Sequence, residues 1–388
     1  MSSAERRLRI VFLGCGAITE AHGRRLRALK DKVQCFYASR DPHKAAAFEE
    51  KLRGAGSFGS YQAALDDGRM DVAFVATPPP SHLALTLEAL RAGKDVIVEK
   101  PAFLRAADFD VVRKAQEQTG RRVMVAENYA YKPLARTLQG LLASGAIGEP
   151  RFIQVNALKL QHRSDWRADA VQAGGGALFE GGVHWVDFIA HLGPAVRAAR
   201  VVRAGEGGLE RSSLMVFEYE GGAVGTLAHS WETPGRLRGL QLSRIAGTRG
   251  SIVFESNGLF VLAPSGLIVR GLADVAGYHV MLRDFVDALQ TGGEPLMTLG
   301  RAQRDLEMLE NECWTSGLRP PASGGERSEA WPAGQRLERD RLEGAAHHLV
   351  DLREEGTQTA SGPASANVAR SPRLGGFEDP DHLEQRDT

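Results

Sequence analysis

A lysine and a histidine are the side chains of this sequence best suited to acid–base chemistry. Lys100 stands in Glu99-Lys100-Pro101, directly after an apolar run of the strand type. His184 has Glu180 four residues before it and Asp187 three residues after it, a spacing that places the three on one face of a single helix. Carboxylates beside a histidine can fix its tautomer and tune it as an acid or a base. A merely exposed lysine and a structural polar cluster are the alternatives.

A glycine pair near the N-terminus predicts a dinucleotide-binding turn. Gly14-Cys15-Gly16 lies between a strand pattern, Arg9 to Leu13, and a helical pattern from about Ile18 to Leu29. Glycines allow a tight turn and a close approach of the backbone to a pyrophosphate, and the following helix offers unpaired N–H groups. Thr19 replaces the third glycine of the usual fingerprint, so a plain strand-to-helix turn is the alternative.

The end of the second predicted strand indicates which dinucleotide binds. Where a carboxylate would bind the ribose hydroxyls, the sequence has Ser39-Arg40. A guanidinium gives a fork of donors to a 2′-phosphate, whereas a carboxylate repels it. We therefore expect NADP as the cofactor. In the alternative, NAD binds, Asp41 contacts its ribose, and Arg40 is a solvated loop charge.

Strands and helices alternate in the first third of the chain. After the glycine turn, the patterns predict strands at Val33–Ala38, Val72–Ala76, Val96–Glu99 and Val123–Ala126, with helices at Lys44–Leu52 and His82–Ala92. Apolar strands separated by helices are typical of a parallel sheet covered on both faces. Thr77-Pro78 and Glu99-Lys100-Pro101 then follow strands at the carboxyl edge, where open α/β sheets bind ligands.

The second half of the chain predicts a large, mostly antiparallel sheet. Alternating segments occur at 151–161, 213–219, 224–231, 240–245, 251–255 and 259–262. Glu220-Gly221-Gly222 and Asn257-Gly258 separate consecutive segments with hairpin chemistry. Helices are predicted at about Phe179–His191, after Gly174-Gly175-Gly176, and at 281–289 and 301–313. The fold class is therefore α/β, a Rossmann domain with a parallel sheet followed by a domain that combines helices with a large, mostly antiparallel sheet.

Composition narrows the possible partners. The chain has 388 residues, with Lys plus Arg at 48 and Asp plus Glu at 48, so nothing attracts nucleic acid or a membrane surface. Cys15, Cys35 and Cys313 have no paired spacing, which argues against disulfides and a zinc site, and we expect no metal. No stretch resembles a signal peptide or a membrane span, which favours the cytoplasm.

The changes in strand pattern and in composition along the chain predict the domain boundaries. We expect a dinucleotide-binding domain at 1–128 and a second domain at 129–318. The tail, 319–388, is rich in Pro, Ala, Ser and Gly; it holds one amphipathic stretch, 336–353, and is otherwise predicted to be disordered.

Taken together, these motifs resemble the glucose-fructose oxidoreductase, inositol dehydrogenase and MocA family, from about Arg9 to about Ser316. The resemblance rests on motifs in a fixed order. They are Gly14-x-Gly16, Thr77-Pro78 with His82, Ala92-Gly93-Lys94 before Glu99-Lys100-Pro101, Glu127-Asn128, Gly145-x-x-Gly148, Trp166-Arg167, and Gly174 to Leu178 leading to Gly182-x-His184-x-x-Asp187.

The resemblance implies roles for individual residues. Lys100 and His184 would be catalytic, with Glu180 at the place where the family usually has aspartate. The implied cofactor-binding residues are Gly14, Gly16, Ala17, Ile18, Ser39, Arg40, Thr77, Pro78, His82, Glu99, Lys100 and Asn128. Trp166, Arg167 and Asp187 would contact substrate. The resemblance also makes 129–318 the substrate and oligomerisation domain, an α/β domain whose open sheet implies a homodimer or homotetramer.

The expected function is hydride transfer between a nicotinamide cofactor and a secondary alcohol or ketone of a sugar, cyclitol or related polyol. Two alternatives share the fold: a glycosidase that retains its dinucleotide, and a non-catalytic dinucleotide-binding sensor. The sensor usually lacks the lysine and histidine, and this chain has both, Lys100 and His184.

Overall fold

The computed structural model describes residues 6–161, 169, 175–205, 209–234, 240–269 and 274–313. These residues form two sheets with helices packed on them. The tail and its predicted helix at 336–353 lie outside the described residues, and the predicted domain boundaries stay predictions.

The first sheet is parallel and has six strands. Its elements in chain order are β1 (Leu8–Leu13), α1 (Ala17–Leu26), β2 (Val33–Ala38), α2 (Pro42–Leu52), β3 (Ser57–Phe58), α3 (Tyr61–Asp66), β4 (Val72–Val75), α4 (His82–Arg91), β5 (Asp95–Glu99), α5 (Ala106–Thr119) and β6 (Val123–Ala126). The strand order is β3-β2-β1-β4-β5-β6. In such a sheet the ligand site lies where the order reverses, here between β1 and β4.

Burial explains why these strands form. Ile10, Val11, Phe12 and Leu13 of β1 are fully buried, as expected for a strand covered on both faces. The sequence missed β3, because two residues on a sheet edge leave no periodic pattern.

The second sheet has eight strands and follows α6 (Pro133–Ala143). Its elements are β7 (Pro150–Leu158), α7 (Ala177–Glu180), α8 (Val183–Ala190), β8 (Val196–Arg203), β9 (Ser212–Tyr219), β10 (Val224–Ser230), β11 (Leu242–Gly247), β12 (Gly250–Glu255), β13 (Phe260–Ala263) and β14 (Gly266–Val269). The order is β14-β13-β12-β11-β7-β10-β9-β8, and every pairing is antiparallel except the β7–β10 pair. The prediction of a large, mostly antiparallel open sheet is confirmed.

Two C-terminal helices connect the sheets. The first, α9 (Tyr278–Thr291), packs on α1, and the second, α10 (Leu299–Cys313), packs on α5, α8 and β8. As a result, α10 lies between the carboxyl edge of the parallel sheet and the helices of the second half. Among the described residues, no helix is both long enough and apolar enough to cross a membrane.

The single helix predicted over Phe179–His191 is wrong. The chain forms α7 and α8, with Gly181 and Gly182 between them. Glycine disfavours helix, and a Cβ on Gly182 would lie 2.5 Å from the carbonyl oxygen of Leu178. Glu180 and His184 therefore belong to different helices.

Candidate functional site

The glycine turn after β1 has the properties of a phosphate cradle. Gly14 has a φ of +111°, and a Cβ there would lie 2.6 Å from the carbonyl oxygen of Ala76, so only glycine fits. A Cβ on Gly16 would meet no described atom within 4 Å, so this backbone is open to a ligand. The first-turn N–H groups of Ala17 and Ile18 follow at the start of α1.

Thr19, at the position of the missing third glycine, closes the turn. Its Oγ1 donates a 2.7 Å hydrogen bond to the carbonyl oxygen of Gly14, and the residue is fully buried. The departure from the glycine fingerprint thus fixes the turn through a side chain. The tight turn and the open Gly16 backbone fit a dinucleotide pyrophosphate.

The end of β2 places Ser39 and Arg40 at the same edge. Ser39 is buried and its Oγ accepts from the N–H of Asp41, while Arg40 is exposed. The Asp41 carboxylate caps α2, because its Oδ1 accepts from the N–H groups of His43 at 2.9 Å and Lys44 at 3.4 Å. This capping role occupies one oxygen of the carboxylate that would otherwise bind a ribose.

His82 links the loop that follows β4 to the loop that follows β5, at the carboxyl edge of the parallel sheet. Its Nε2 lies 2.6 Å from the carbonyl oxygen of Thr77, and its Nδ1 lies 3.0 Å from that of Pro101. Burial lowers the pKa of His82, which is fully enclosed. Thr77 also lies beside Gly14, whose added Cβ would be 3.2 Å from the Thr77 methyl group. His82 therefore acts through the loops, and Thr77 and Pro78 are placed next to the glycine turn.

Glu99 is buried beneath the site. Its Oε1 lies 2.5 Å from Nε2 of His22 on α1, and its Oε2 accepts from the backbone N–H of Lys100 at 3.1 Å. Burial opposes its ionisation, but the His22 hydrogen bond and the nearby positive charges outweigh burial and lower the pKa of Glu99. The carboxylate thus ties α1 to the end of β5, and so holds the backbone of Lys100.

Lys100 reaches from the parallel sheet to the second half of the chain. Its Nζ donates to the backbone carbonyl of Glu180 at 3.1 Å and approaches Glu180 Oε1 at 3.4 Å. Only 13% of the lysine side chain and 3% of the Glu180 side chain are exposed. The ammonium group is therefore fixed in position at the end of α7, close to the cleft between the two sheets.

His184 is oriented by Glu127, a residue that the sequence did not single out for this role. The imidazole Nδ1 donates to Glu127 Oε1 at 2.5 Å, and the ring stacks on Tyr129 with centroids 4.6 Å apart. Glu127 Oε1 also accepts from the N–H of Tyr129 at 3.0 Å. With Nδ1 bonded to Glu127, Nε2 is the ring atom left for proton transfer. The signal for Glu127 was its place directly after β6, at the same carboxyl edge as Lys100.

His229 lies behind these groups on β10. Burial lowers its pKa to about 3, and the charges of Lys159, Glu180, His184 and Lys100 also act on it. It is therefore neutral at physiological pH. Its electrostatic contacts show that Lys100, Glu180 and His184, distant in sequence, meet in one region.

Asp187 is not directed toward open space. It is fully buried, and Arg301 of α10 donates to both of its oxygens, at 2.6 and 3.0 Å. His191 Nδ1 lies 3.5 Å from Asp187 Oδ1. The Asp187–Arg301 ion pair joins α8 to α10 and so positions His184 on α8. This favours a structural role for Asp187 over the predicted contact with substrate.

Three other predicted site residues have different outcomes. Asn128 is buried, and its Nδ2 donates to the carbonyl of Ala276 at 2.7 Å. Its Oδ1 receives no hydrogen bond from the described residues. Trp166 and Arg167 lie outside the described residues.

Cys15 and Cys35 are free thiols, and burial raises their pKa values to about 11 and about 12.

Comparisons with known proteins show which family the chain resembles. Residues 8–127 match the oxidoreductase family with an NAD-binding Rossmann fold, and residues 135–253 match the GFO/IDH/MocA C-terminal domain. The chain is 30% identical over 244 residues to trans-1,2-dihydrobenzene-1,2-diol dehydrogenase of Mus musculus, covering 60% of this chain and 68% of the relative. It is 32% identical over 257 residues to dTDP-3,4-didehydro-2,6-dideoxy-alpha-D-glucose 3-reductase of Saccharopolyspora spinosa, covering 64% and 74%.

A solved structure shows the same fold. Levoglucosan dehydrogenase in complex with NADH and levoglucosan superimposes with a TM-score of 0.72 at 21% identity. The match covers 80% of this chain and 97% of that one.

Proposed function

The chain belongs to the GFO/IDH/MocA oxidoreductase family, and from this premise we propose that it oxidises a secondary alcohol, or reduces the corresponding ketone, of a sugar, cyclitol or related polyol. The observation that carries the proposal is the meeting of Lys100, from the edge of the parallel sheet, with Glu180 beside the His184–Glu127 pair. The substrate class is supported by the named activities of its dehydrogenase and reductase relatives.

The chain's own residues account for proton handling. In oxidation, Nε2 of His184 takes the proton of the substrate hydroxyl, and Glu127 stabilises the imidazolium that forms. The Lys100 ammonium stabilises the negative charge that develops on the substrate oxygen. The bound nicotinamide cofactor supplies the hydride acceptor or donor. In reduction, His184 returns the proton to the oxygen.

The cofactor is a nicotinamide adenine dinucleotide, and we propose that it is NADP. Arg40 is exposed at the end of β2, and Asp41 is engaged in capping α2, so the charge presented to the ribose is positive. Lys44, on the first turn of α2, acts electrostatically on Cys15 of the glycine turn and adds a second cation nearby. This charge pattern favours a 2′-phosphate over a bare hydroxyl.

We also propose that the open sheet mediates a homodimer or homotetramer. The outer face of the eight-stranded sheet presents apolar side chains, among them Phe152 (57% exposed), Leu214, Leu242 and Leu262. Phe152 pairs with Val224 on the neighbouring strand, which makes the apolar surface continuous there. An exposed apolar surface of this kind marks a protein interface.

The experiment is a substrate screen. The purified protein is mixed with NADP⁺ or NAD⁺ and a panel of sugars and inositols, and with NADPH or NADH and the matching ketones, while nicotinamide absorbance is followed. Lys100→Met should lower kcat by about a hundredfold or more while cofactor still binds. Lys114→Met, an exposed lysine on α5, is the matched control and should behave as wild type. Full turnover by Lys100→Met would contradict the proposal and favour a sensor role.

A further inference from the structure

A small cavity lies behind the His184–Glu127 pair. Its volume is about 20 Å³, and it lies between the ends of β5 and β6 and helix α10. Its lining includes Lys100, Val125, Glu127, Met297, Asp305 and Leu306. A water molecule needs a cavity of roughly 10–15 Å³, counted as the space open to its centre, together with two or more polar partners. The cavity is therefore large enough for one water.

Two carboxyl groups on its wall need hydrogen-bond donors. Glu127 Oε1 is used by His184 and Tyr129, but Glu127 Oε2 is buried and receives no hydrogen bond from any described residue. Both oxygens of Asp305 are likewise buried and receive no hydrogen bond from any described residue, and Asp305 is 1% exposed. Buried polar atoms in folded proteins nearly always have a partner, either protein or ordered water.

Asp305 lies beside a second carboxylate that is already ionised. Asp187 is held by Arg301, and one oxygen each of Asp187 and Asp305 lie within 4.8 Å of one another and of His191 Nδ1. Burial, and then the negative charge of Asp187, raise the pKa of Asp305 well above its ordinary value. Two facing carboxylates repel when both are ionised, so this arrangement favours a proton on Asp305. That proton can face Asp187, which leaves the Asp305 carbonyl oxygen as an acceptor.

We propose that Asp305 is a positioning residue of the active site: it holds, as a neutral acid, a buried water that donates its two hydrogens to Asp305 and to Glu127 Oε2. Glu127 is thereby fixed on both oxygens, with His184 and Tyr129 on one side and the water on the other. The inference rests on the proposed function only in that Glu127 orients the catalytic base.

The water changes the pH response of the His184–Glu127 pair. The other titratable or charged groups facing this region are Lys100, Glu180, His229, Lys132, Asp187, His191, Arg301 and Arg304. A hydrogen bond donated to Glu127 stabilises the pair most when His184 is neutral, because the pair then has a net negative charge. Loss of the donor therefore raises the pH at which the pair takes up a proton.

Two variants of Asp305 separate this role from simple packing. Asp305→Asn keeps an N–H toward Asp187 and an oxygen toward the water, so both the melting temperature and the acid limb of kcat/KM should stay as in wild type. Asp305→Leu removes the water's partner and should move the midpoint of the acid limb up by about one pH unit, a tenfold change in proton affinity. An ionised Asp305 predicts the opposite: both variants would move the midpoint down, and Asp305→Asn would be less stable.

Two further measurements do not depend on turnover, so they test the inference even if the proposed function fails. A high-resolution crystal structure should show a water within hydrogen-bond distance of Glu127 Oε2 and Asp305, and a dry cavity or a metal ion there would overturn the inference. The infrared spectrum at pH 7 should contain a protonated-carboxyl C=O band that Asp305→Asn lacks. Absence of that band in the wild type, failure of Asp305→Asn to fold, or an unshifted Asp305→Leu profile would each refute it.

Discussion

The hydrogen bond from His184 to Glu127 gives the sharpest test of the catalytic site. In Glu127→Gln the side chain keeps an oxygen where Oε1 accepts from both His184 Nδ1 and the Tyr129 N–H, so the imidazole keeps its tautomer. The negative charge is lost, and an amide NH2 group takes the place of Oε2. A hydrogen bond to a charged group contributes about 1.5–3 kcal/mol and a neutral one about 0.5–1.5, a difference of roughly 1 to 1.5 kcal/mol. We therefore expect kcat to fall roughly five- to thirteenfold.

Glu127→Leu completes the series. It removes the acceptor as well as the charge, so the ring can take either tautomer, and we expect a loss of at least about a hundredfold, near that of His184→Ala. The assay is steady-state kcat with cofactor affinity measured separately by the fluorescence of the reduced nicotinamide. Glu117→Gln, the same change at an exposed site on α5, is the control. The reasoning fails if Glu127→Gln is as slow as Glu127→Leu, or if either variant matches wild type.

Three other predictions test the cofactor, the interface and the pH response. Arg40→Ala should weaken NADPH binding about ten- to a hundredfold and leave NADH binding unchanged; equally tight binding of both cofactors to the wild type would contradict this. Phe152→Glu should shift the molar mass from light scattering toward the monomer, whereas Val111→Glu, an exposed apolar site on α5, should not. Because the pKa of His229 is lowered to about 3, the unfolded chain binds the extra proton below about pH 6.5, and stability falls as pH drops from there toward 3. His229→Asn should flatten that part of the melting-temperature profile, and an unchanged slope would show that His229 is not buried as a neutral ring.

The parallel sheet was predictable because local patterns determine it. The limits of β2 and β6 agree with the predicted strands, since β6 is a continuous apolar run, β2 is apolar apart from Gln34, and a polar residue follows each strand. The strands β8 and β14 were missed for a different reason. Neither alternates cleanly: β8 carries three arginines, and β14 is mostly exposed, so their place depends on the partner strand rather than on their own sequence.

The candidate site was only partly predictable, because its main contacts are long-range. Lys100 and Glu180 are 80 residues apart, and Glu127 and His184 are 57 apart. Sequence spacing suggested Glu180 as the neighbour of His184 along one helix, but the break at Gly181 and Gly182 directs Glu180 to Lys100 instead. A helix-spacing argument fails wherever a glycine pair allows the chain to turn.

The role of α10 could not be predicted from the sequence either. Arg301 and Asp305 are one helical turn apart, and this spacing is typical of an exposed ion pair on a helix surface. In the structure Asp305 is buried and only 11% of the Arg301 side chain is exposed: Arg301 neutralises Asp187, and Asp305 lines the cavity behind Glu127. Only the packing of α10 against α8 and the strand ends reveals that both act on the site.

The contact between Lys100 and Glu180 bears on the expectation that glutamate stands here in place of the family's aspartate. The shorter of the two contacts, 3.1 Å, goes to the backbone carbonyl of Glu180, and the carboxylate contact is 3.4 Å. A backbone acceptor at the end of α7 keeps its place whatever the side chain. That end is itself fixed, because Glu210 accepts from the N–H of Leu178 and the Gly181–Gly182 break follows at once. The position of the ammonium group is therefore determined by the fold of α7, and the extra methylene of Glu180 alters the carboxylate without displacing the lysine.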